Sequence, residues 1–177
     1  PPSDVIYTEA STINILGDKA LYGAAVGTAG DWNGDGFSDV IIGAPHFGQS
    51  LWGKAFVYLG KGETLATTSF AATGLQANSG HGLGLGFAGD INHDGFSDFV
   101  TGAPNYESEA SQSGEGRFFV TYGAECVIAG NGCGGPLEII LPGQREGDQA
   151  GAALGSSVTG AGDVNGDQCS DEQGRKR

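Results

Sequence analysis

The sequence lacks methionine, and no stretch of about 18 apolar residues, the length needed to cross a membrane, occurs in it. No long run has the spacing of an amphipathic helix. Basic residues are scarce, since eight Lys and Arg stand against 21 Asp and Glu and the net charge is −13. Nucleic-acid binding requires a basic surface. We therefore expect no membrane span and no nucleic-acid partner.

Cysteine is also rare, and none of the three cysteines forms a C-x-x-C pair, so the pattern does not indicate zinc. Cys126 and Cys133 bracket the glycine-rich segment "VIAGNG" and are predicted to form a disulfide. That pairing fits an oxidising compartment, and two free thiols are the alternative. Cys169 has no evident partner.

Catalytic signatures are missing, because the sequence contains no H-E-x-x-H, no G-x-S-x-G and no G-x-x-x-x-G-K. The segment "GLGFAG" (84–89) has dinucleotide-type glycines but leads into an acidic segment, which would repel a pyrophosphate. We expect no enzyme activity. The histidines have no metal-site spacing and are expected at the surface or in turns: His46, His81 and His93. Three glutamates are expected in a solvated loop: Glu107, Glu109 and Glu115.

One acidic decamer occurs three times, as "GDWNGDGFSD" (30–39), "GDINHDGFSD" (89–98) and "GDVNGDQCSD" (162–171). These segments hold nine of the 21 acidic residues, so the negative charge is concentrated. Concentrated carboxylates favour cation sites over a generally solvated surface.

The repeat is longer than the decamer and includes four short strand-like segments in a period of about 60 residues, which is typical of a β-propeller blade. Its 34 glycines and scattered β-branched and aromatic residues also indicate short strands joined by tight turns. We therefore predict an all-β chain of four-stranded antiparallel blades. The repeats span about 18–74 and 75–143, with a partial third at 144–171 and an atypical tail at 172–177.

The decamer has the form D-x-N-x-D-G-x-x-D, which brings oxygen donors into one turn. Calcium takes six to eight oxygen ligands, and the glycine at position 6 permits the sharp turn. The predicted ligands are side chains at positions 1, 3, 5 and 9 and the main-chain carbonyl at position 7. In the first loop they are Asp31, Asn33, Asp35, Phe37 and Asp39, and in the second Asp90, Asn92, Asp94, Phe96 and Asp98.

The loop has two other interpretations. An EF-hand requires a glutamate at position 12 and a following helix, whereas position 12 here is Ile42, Thr101 or Gly174 and a strand-like run follows the first two loops. The second interpretation is an Asx-rich turn without metal. Three carboxylates in one turn repel one another, and a divalent cation relieves that repulsion.

The third loop departs from the pattern, so its calcium site is doubtful. Gln168 replaces the glycine at position 6, and "EQGRKR" (172–177) follows where the other repeats continue into a strand. The remaining candidate ligands are Asp163, Asn165, Asp167, Cys169 and Asp171. We expect weak calcium binding or none there.

With "GAP" at 43–45 and 102–104 after two of the loops, the chain resembles the FG-GAP repeat of integrin α heads and bacterial secreted proteins. The resemblance implies a propeller of about seven blades, calcium in the loops, an extracellular or cell-surface location and a role in adhesion or ligand binding. The ligand, protein or glycan, is not implied. The alternatives are the propeller part of a secreted phospholipase or hydrolase, and a calcium-dependent lectin-like module.

The chain is shorter than such a propeller, so we expect a segment of a longer protein or self-association through uncovered blade faces. No signal peptide is visible. Among the aromatic residues, Phe37 and Phe96 hold matching loop positions and are predicted to pack between strands. Trp32 is predicted to serve blade packing, with ligand recognition as the alternative.

Overall fold

The computed structural model describes residues 20–48, 50–62, 64–108, 113–124, 143–164 and 171–172. Within these ranges the chain forms strands, turns and bends and no α-helix. The strands are β1 (Val26–Gly30), β2 (Asp39–Ala44), β3 (Lys54–Lys61), β4 (Thr64–Thr73), β5 (Gly84–Gly89), β6 (Asp98–Ala103), β7 (Arg117–Thr121), β8 (Gly143–Glu146), β9 (Gly160–Gly162) and β10 (Asp171–Glu172).

The strands form two four-stranded sheets, in the order β1-β2-β3-β4 and β5-β6-β7-β8, and a pair, β9-β10. All pairings are antiparallel, and each sheet follows chain order. Each sheet is one propeller blade, which we call blade 1 and blade 2. The prediction of an all-β fold built from four-stranded blades is confirmed.

The two blades share an irregularity where the first strand enters the acidic loop. The register of β1 with β2 shifts between Thr28 and Gly30, and that of β5 with β6 shifts between Phe87 and Gly89. Gly30 and Gly89 both have positive φ, 67° and 78°, which favours glycine. This explains why a glycine precedes each loop.

The second and third strands of blade 2 are covered on both faces because the blades stack. Every residue of β6 and β7 is buried, instead of the alternation expected for a sheet with one wet face. Between the blades, Ile41 and Val57 of blade 1 and Phe99 of blade 2 belong to one apolar cluster. The other face of blade 2 carries a separate cluster that includes Val100 and Phe118.

Glycines allow main chains of successive blades to approach closely. A Cβ at Gly43 of blade 1 would overlap the carbonyl oxygen of Gly82 in blade 2. A Cβ at Gly102 would overlap Gly155 in the same way, at the next junction. The glycines of the repeat motif therefore act at the contacts between blades.

Two further observations bear on the sequence expectations. In the described residues, no helix has the length and apolar character needed to cross a membrane. Glu172, assigned to the atypical tail, lies in β10 and pairs with Gly160. The strand β10 therefore consists of Asp171, the last residue of the third loop, and Glu172, the first residue of the tail.

Candidate metal centre

The acidic loops connect the first two strands of each blade, at the same end of the two sheets. Loop 1 is residues 31–39 and loop 2 is residues 90–98, and the last residue of each begins the second strand. In both blades, two antiparallel strands with a register shift before the turn thus hold the acidic residues at equivalent positions.

In loop 1 the side-chain oxygens organise the turn by accepting main-chain hydrogen bonds. Asp31 accepts from Asp35 N at 3.0 Å through Oδ1 and from Gly36 N at 3.0 Å through Oδ2. Asn33 Oδ1 accepts from the same Asp35 N at 3.2 Å. Asp35 accepts from Phe37 N at 2.9 Å and from Asn33 Nδ2 at 2.9 Å. Positions 1 and 3 therefore direct oxygens toward one N–H group.

Loop 2 repeats this arrangement. Asp90 accepts from Asp94 N at 3.1 Å and from Gly95 N at 2.9 Å, and Asn92 Oδ1 accepts from Asp94 N at 3.2 Å. Asp94 accepts from Phe96 N at 3.0 Å and from Asn92 Nδ2 at 2.8 Å. The same residue types at positions 1, 3 and 5 thus give the same turn geometry in both loops.

The aspartate at position 9 has a structural role that the sequence did not reveal. Asp39 is 0% exposed, and its carboxylate accepts from Trp32 N at 2.9 Å and from Gly60 N at 2.8 Å. Asp98 is also 0% exposed and accepts from Ile91 N at 2.7 Å and from Gly123 N at 2.8 Å. Each carboxylate therefore ties its loop to the C-terminal end of the third strand, at Gly60 within β3 and at Gly123, two residues past β7.

Burial makes these two carboxylates difficult to keep ionised. Desolvation raises the pKa of Asp39 to about 6, although the N–H groups of Gly60 and Trp32 lower it and the neighbouring Asp35 and Asp31 raise it further. Desolvation likewise raises the pKa of Asp98 to about 6. A positive charge nearby would favour the ionised form of both.

The donor set fits a hard cation, although the carboxylates are not already arranged around one. In the described part of the chain, no three His, Cys, Asp or Glu side chains are grouped as they would be around an ion. The carboxylates of Asp31 and Asp35 instead accept N–H groups. Each such oxygen retains a second lone pair, so the same atoms can still bind a cation.

The third loop is described only at its ends. Asp163 is exposed, and Asp171 pairs with Gly162 as Asp39 pairs with Gly30. Three candidate ligands lie outside the described residues: Asn165, Asp167 and Cys169. The predicted disulfide partners Cys126 and Cys133 also lie outside them. The third calcium site and the Cys126–Cys133 disulfide therefore stay predictions.

The loop aromatics differ from one another in their surroundings. Trp32 is 3% exposed, and its ring lies 6.2 Å from that of Phe99 in blade 2, so its predicted role in blade packing is confirmed. Phe96 is half-buried against Gly34 of loop 1. Phe37 is 45% exposed, so the prediction that it packs between strands is wrong in this structure. Among the described residues, no acidic loop of a neighbouring blade covers Phe37 as loop 1 covers Phe96.

Two polar residues are buried, although the sequence predicts His81 at the surface or in a turn and Glu115 in a solvated loop. His81 is 1% exposed, its ring lies 5.1 Å from that of Phe119, and burial lowers its pKa to about 4. Glu115 is 1% exposed and accepts a hydrogen bond from Ser108 N. The other expectations differ in outcome, since His46 and His93 are exposed, Glu107 is half-buried and Glu109 lies outside the described residues.

Comparison with known proteins identifies the repeat. The family model described as "FG-GAP repeat" matches residues 22–60 and 82–118, which contain both described loops. The chain is an FG-GAP repeat protein. Its matched segments begin at the glycine-containing turn before the first strand of each blade and end in the third strand. The matched segments therefore include the acidic loops and the junction glycines Gly43, Gly82 and Gly102.

Integrin α chains are among the curated relatives of this FG-GAP chain. Integrin alpha-7 of Homo sapiens is 32% identical over 145 residues, which are 80% of this chain and 11% of that protein. Integrin alpha-PS3 of Drosophila melanogaster is 39% identical over 98 residues, 50% of this chain and 8% of that protein. Integrin alpha-5 of Xenopus laevis is 29% identical over 165 residues, 88% of this chain and 15% of that protein. The chain thus spans a small part of the length of each of these relatives.

Proposed function

We propose that this chain is a calcium-binding propeller module of a secreted or cell-surface adhesion protein. The observation that carries the proposal is the repetition of one turn geometry in two loops. In both, oxygens from positions 1 and 3 converge on one N–H group, and a fully buried aspartate closes the turn. Oxygen donors of this kind are the ligands that calcium prefers.

Each residue of loop 1 has a definite part in this proposal. Asp31, Asn33 and Asp35 would supply side-chain oxygens, Phe37 its main-chain carbonyl, and Asp39 a carboxylate already fixed by two N–H groups. Loop 2 would use the equivalent residues. When bound, the ion supplies positive charge that offsets the three carboxylates of each loop. The benefit to the protein is a fixed turn between the first two strands of the blade.

The residue at position 6 of each loop favours two calcium sites over three. Gly36 and Gly95, at position 6, have φ values of 88° and 90°. The third loop has Gln168 at this position. A residue with a side chain costs about 1–2 kcal/mol in this left-handed region, so we propose that the third loop binds calcium weakly or not at all.

The integrin relatives favour adhesion or ligand binding at a cell surface, without a catalytic role for this module. Its partner would be a protein or a glycan. Two alternatives stay open, the propeller part of a secreted phospholipase or hydrolase and a lectin-like module. A catalytic domain beside the propeller would favour the first, and chelator-sensitive binding on a glycan array would favour the second.

Thermal melts with calcium and with chelator test the metal proposal. A ligand that binds only the folded state raises its stability, so calcium is expected to raise the melting temperature of the wild-type chain. The double variant Asp35→Asn, Asp94→Asn, which keeps side-chain shape and removes two charges, is expected to lose most of this shift. The control Asp148→Asn changes an exposed aspartate outside the loops and should keep it. Equal melts in calcium and chelator would contradict the proposal.

A further inference from the structure

The two acidic loops are joined directly by Ser97 of loop 2. Its main-chain N–H donates to the Asp31 carbonyl oxygen at 3.0 Å, and its Oγ accepts from Asp31 N at 3.1 Å. Asp31 is the first residue of loop 1, and Ser97 lies between Phe96 and Asp98, the residues at positions 7 and 9 of loop 2. The backbone that carries donors of one loop is therefore hydrogen-bonded to the backbone that carries donors of the other.

A packing contact reinforces this link. The ring of Phe96 lies so close to Gly34 that a Cβ there would overlap it. Gly34 lies between Asn33 and Asp35, which are both candidate ligands of loop 1. Movement of loop 1 would therefore displace the aromatic side chain of the residue whose carbonyl is a candidate ligand in loop 2.

A second connection runs through Trp32. Its N–H donates to Asp39 of loop 1, its Nε1 donates to Tyr122 O at 3.1 Å, and its carbonyl accepts from Ala124 N at 3.1 Å. Between those two partners, Gly123 N donates to Asp98 Oδ1 of loop 2 at 2.8 Å. The buried aspartates of the two loops are thus connected through one segment of main chain.

We propose that the two loops bind calcium cooperatively, with Ser97 as the positioning residue that couples them. The inference rests on the proposed calcium function. An ion that orders loop 1 fixes Asp31, and through it Ser97, so a second ion has less of loop 2 left to order. Because coupling between two sites is reciprocal, an ion in loop 2 equally favours loop 1.

Electrostatics acts in the opposite direction. An ion in one loop reduces the negative charge that attracts the next ion to the other. Charges in solvent are screened over about 8 Å at physiological ionic strength, whereas the hydrogen bonds of Ser97 are direct contacts. Screening weakens this repulsion, so we expect the positive coupling through the direct contacts to increase when salt is raised.

The chain provides matched controls for both contacts. Ser38 and Phe37 hold in loop 1 the positions of Ser97 and Phe96 in loop 2. Both are exposed, Phe37 to 45%. The variants Ser97→Ala and Ser38→Ala therefore remove the same hydroxyl from the same loop position, with and without a hydrogen bond to another loop of the described structure.

The experiment titrates terbium, as the calcium probe, into each variant by calorimetry and resolves the affinity of loop 1 from that of loop 2. Asp94→Asn weakens loop 2 without touching loop 1. It is expected to lower the terbium affinity of loop 1 by about fivefold or more in the wild-type and Ser38→Ala backgrounds. In the Ser97→Ala background we expect a smaller change than in the Ser38→Ala background, because the Oγ link to Asp31 is lost while the main-chain hydrogen bond from Ser97 N to Asp31 O remains.

Each other result overturns the inference in a recognisable way. Two ions bound with no effect of Asp94→Asn on loop 1, or with tighter binding there, would mean independent or repelling sites and would leave the proposed function intact. An equal effect in both serine backgrounds would show that Ser97 is structural only. No uptake of calcium or terbium by the folded chain would overturn the proposed function and the coupling together. Circular dichroism of every variant establishes that it is folded.

Discussion

The junction between the blades makes a quantitative prediction at Gly43. Its neighbour across the junction is the main chain of Gly82, and a Cβ at position 43 would overlap the Gly82 carbonyl oxygen. Gly43 does not have positive φ, so Gly43→Ala introduces no backbone strain of its own. The added methyl group is relieved only if the blades move apart, because a main-chain atom cannot rotate away as a side chain can.

Overpacking of this kind costs about 1–3 kcal/mol, and the upper part of that range is expected because the obstacle is backbone. For a chain of this length each kcal/mol lowers the melting temperature by about 2–4 °C, so Gly43→Ala is expected to melt roughly 4–10 °C lower. Thermal melts followed by circular dichroism measure this. Gly102→Ala, which meets Gly155 at the next junction, should act in the same direction.

The control is Gly27→Ala, in β1 of the same blade. An added Cβ there finds its nearest atom, Ile41 Cγ2, at 3.8 Å, which is ordinary van der Waals contact. Because alanine has fewer unfolded conformations than glycine, this variant should be unchanged or stabilised by up to about 1 kcal/mol. Equal melting temperatures for Gly43→Ala and Gly27→Ala would refute the close packing of the two blades.

Two further predictions concern buried side chains. His81 has a lowered folded pKa of about 4, so between pH 6.5 and 4 the unfolded chain binds a proton that the folded chain does not, and stability falls as pH falls. From pH 7 to 5 the contribution of His81 to the free energy of unfolding falls by on the order of 2 kcal/mol, and His81→Leu should abolish this fall. Asp39 and Asp98 have raised pKa values, so they add stability over the same pH range, equally in both proteins. Urea unfolding of the two proteins at both pH values measures the difference, and parallel pH profiles would contradict the reasoning. Trp32→Phe removes the hydrogen bond to Tyr122 O and should lower the free energy of unfolding by about 1 kcal/mol or more in the same assay. The control Trp52→Phe, at a 43% exposed site, should lower it little. Equal losses in the two variants would contradict the role of Trp32.

Local features were predictable from the sequence because the residues that encode them are adjacent. The decamer and its flanking apolar segments repeat, so the strands, the turn at each acidic loop and the four-stranded blade all follow from one unit. The glycine requirement at position 6 also follows, and Gly36 and Gly95 do have positive φ. These properties depend on short-range sterics and hydrogen bonding.

Contacts between repeats were not predictable in the same way. Whether a loop residue is buried depends on which residue of the neighbouring blade faces it, so Phe37 and Phe96 hold the same loop position with different exposure. His81 holds the place of Tyr22 in the first repeat, and that equivalence signals a site that packs against the sheet. The partners of Asp39 and Ser97 lie 21 and 66 residues away, and no local pattern identifies them.

The central claim is that the acidic loops bind calcium, and a calorimetric titration of the full chain with calcium tests it most directly. The account predicts about two tight sites per chain, reduced to about one when Asp94→Asn weakens loop 2. No binding heat from a chain that circular dichroism shows to be folded would mean that the loops are metal-free Asx turns, and would contradict the account.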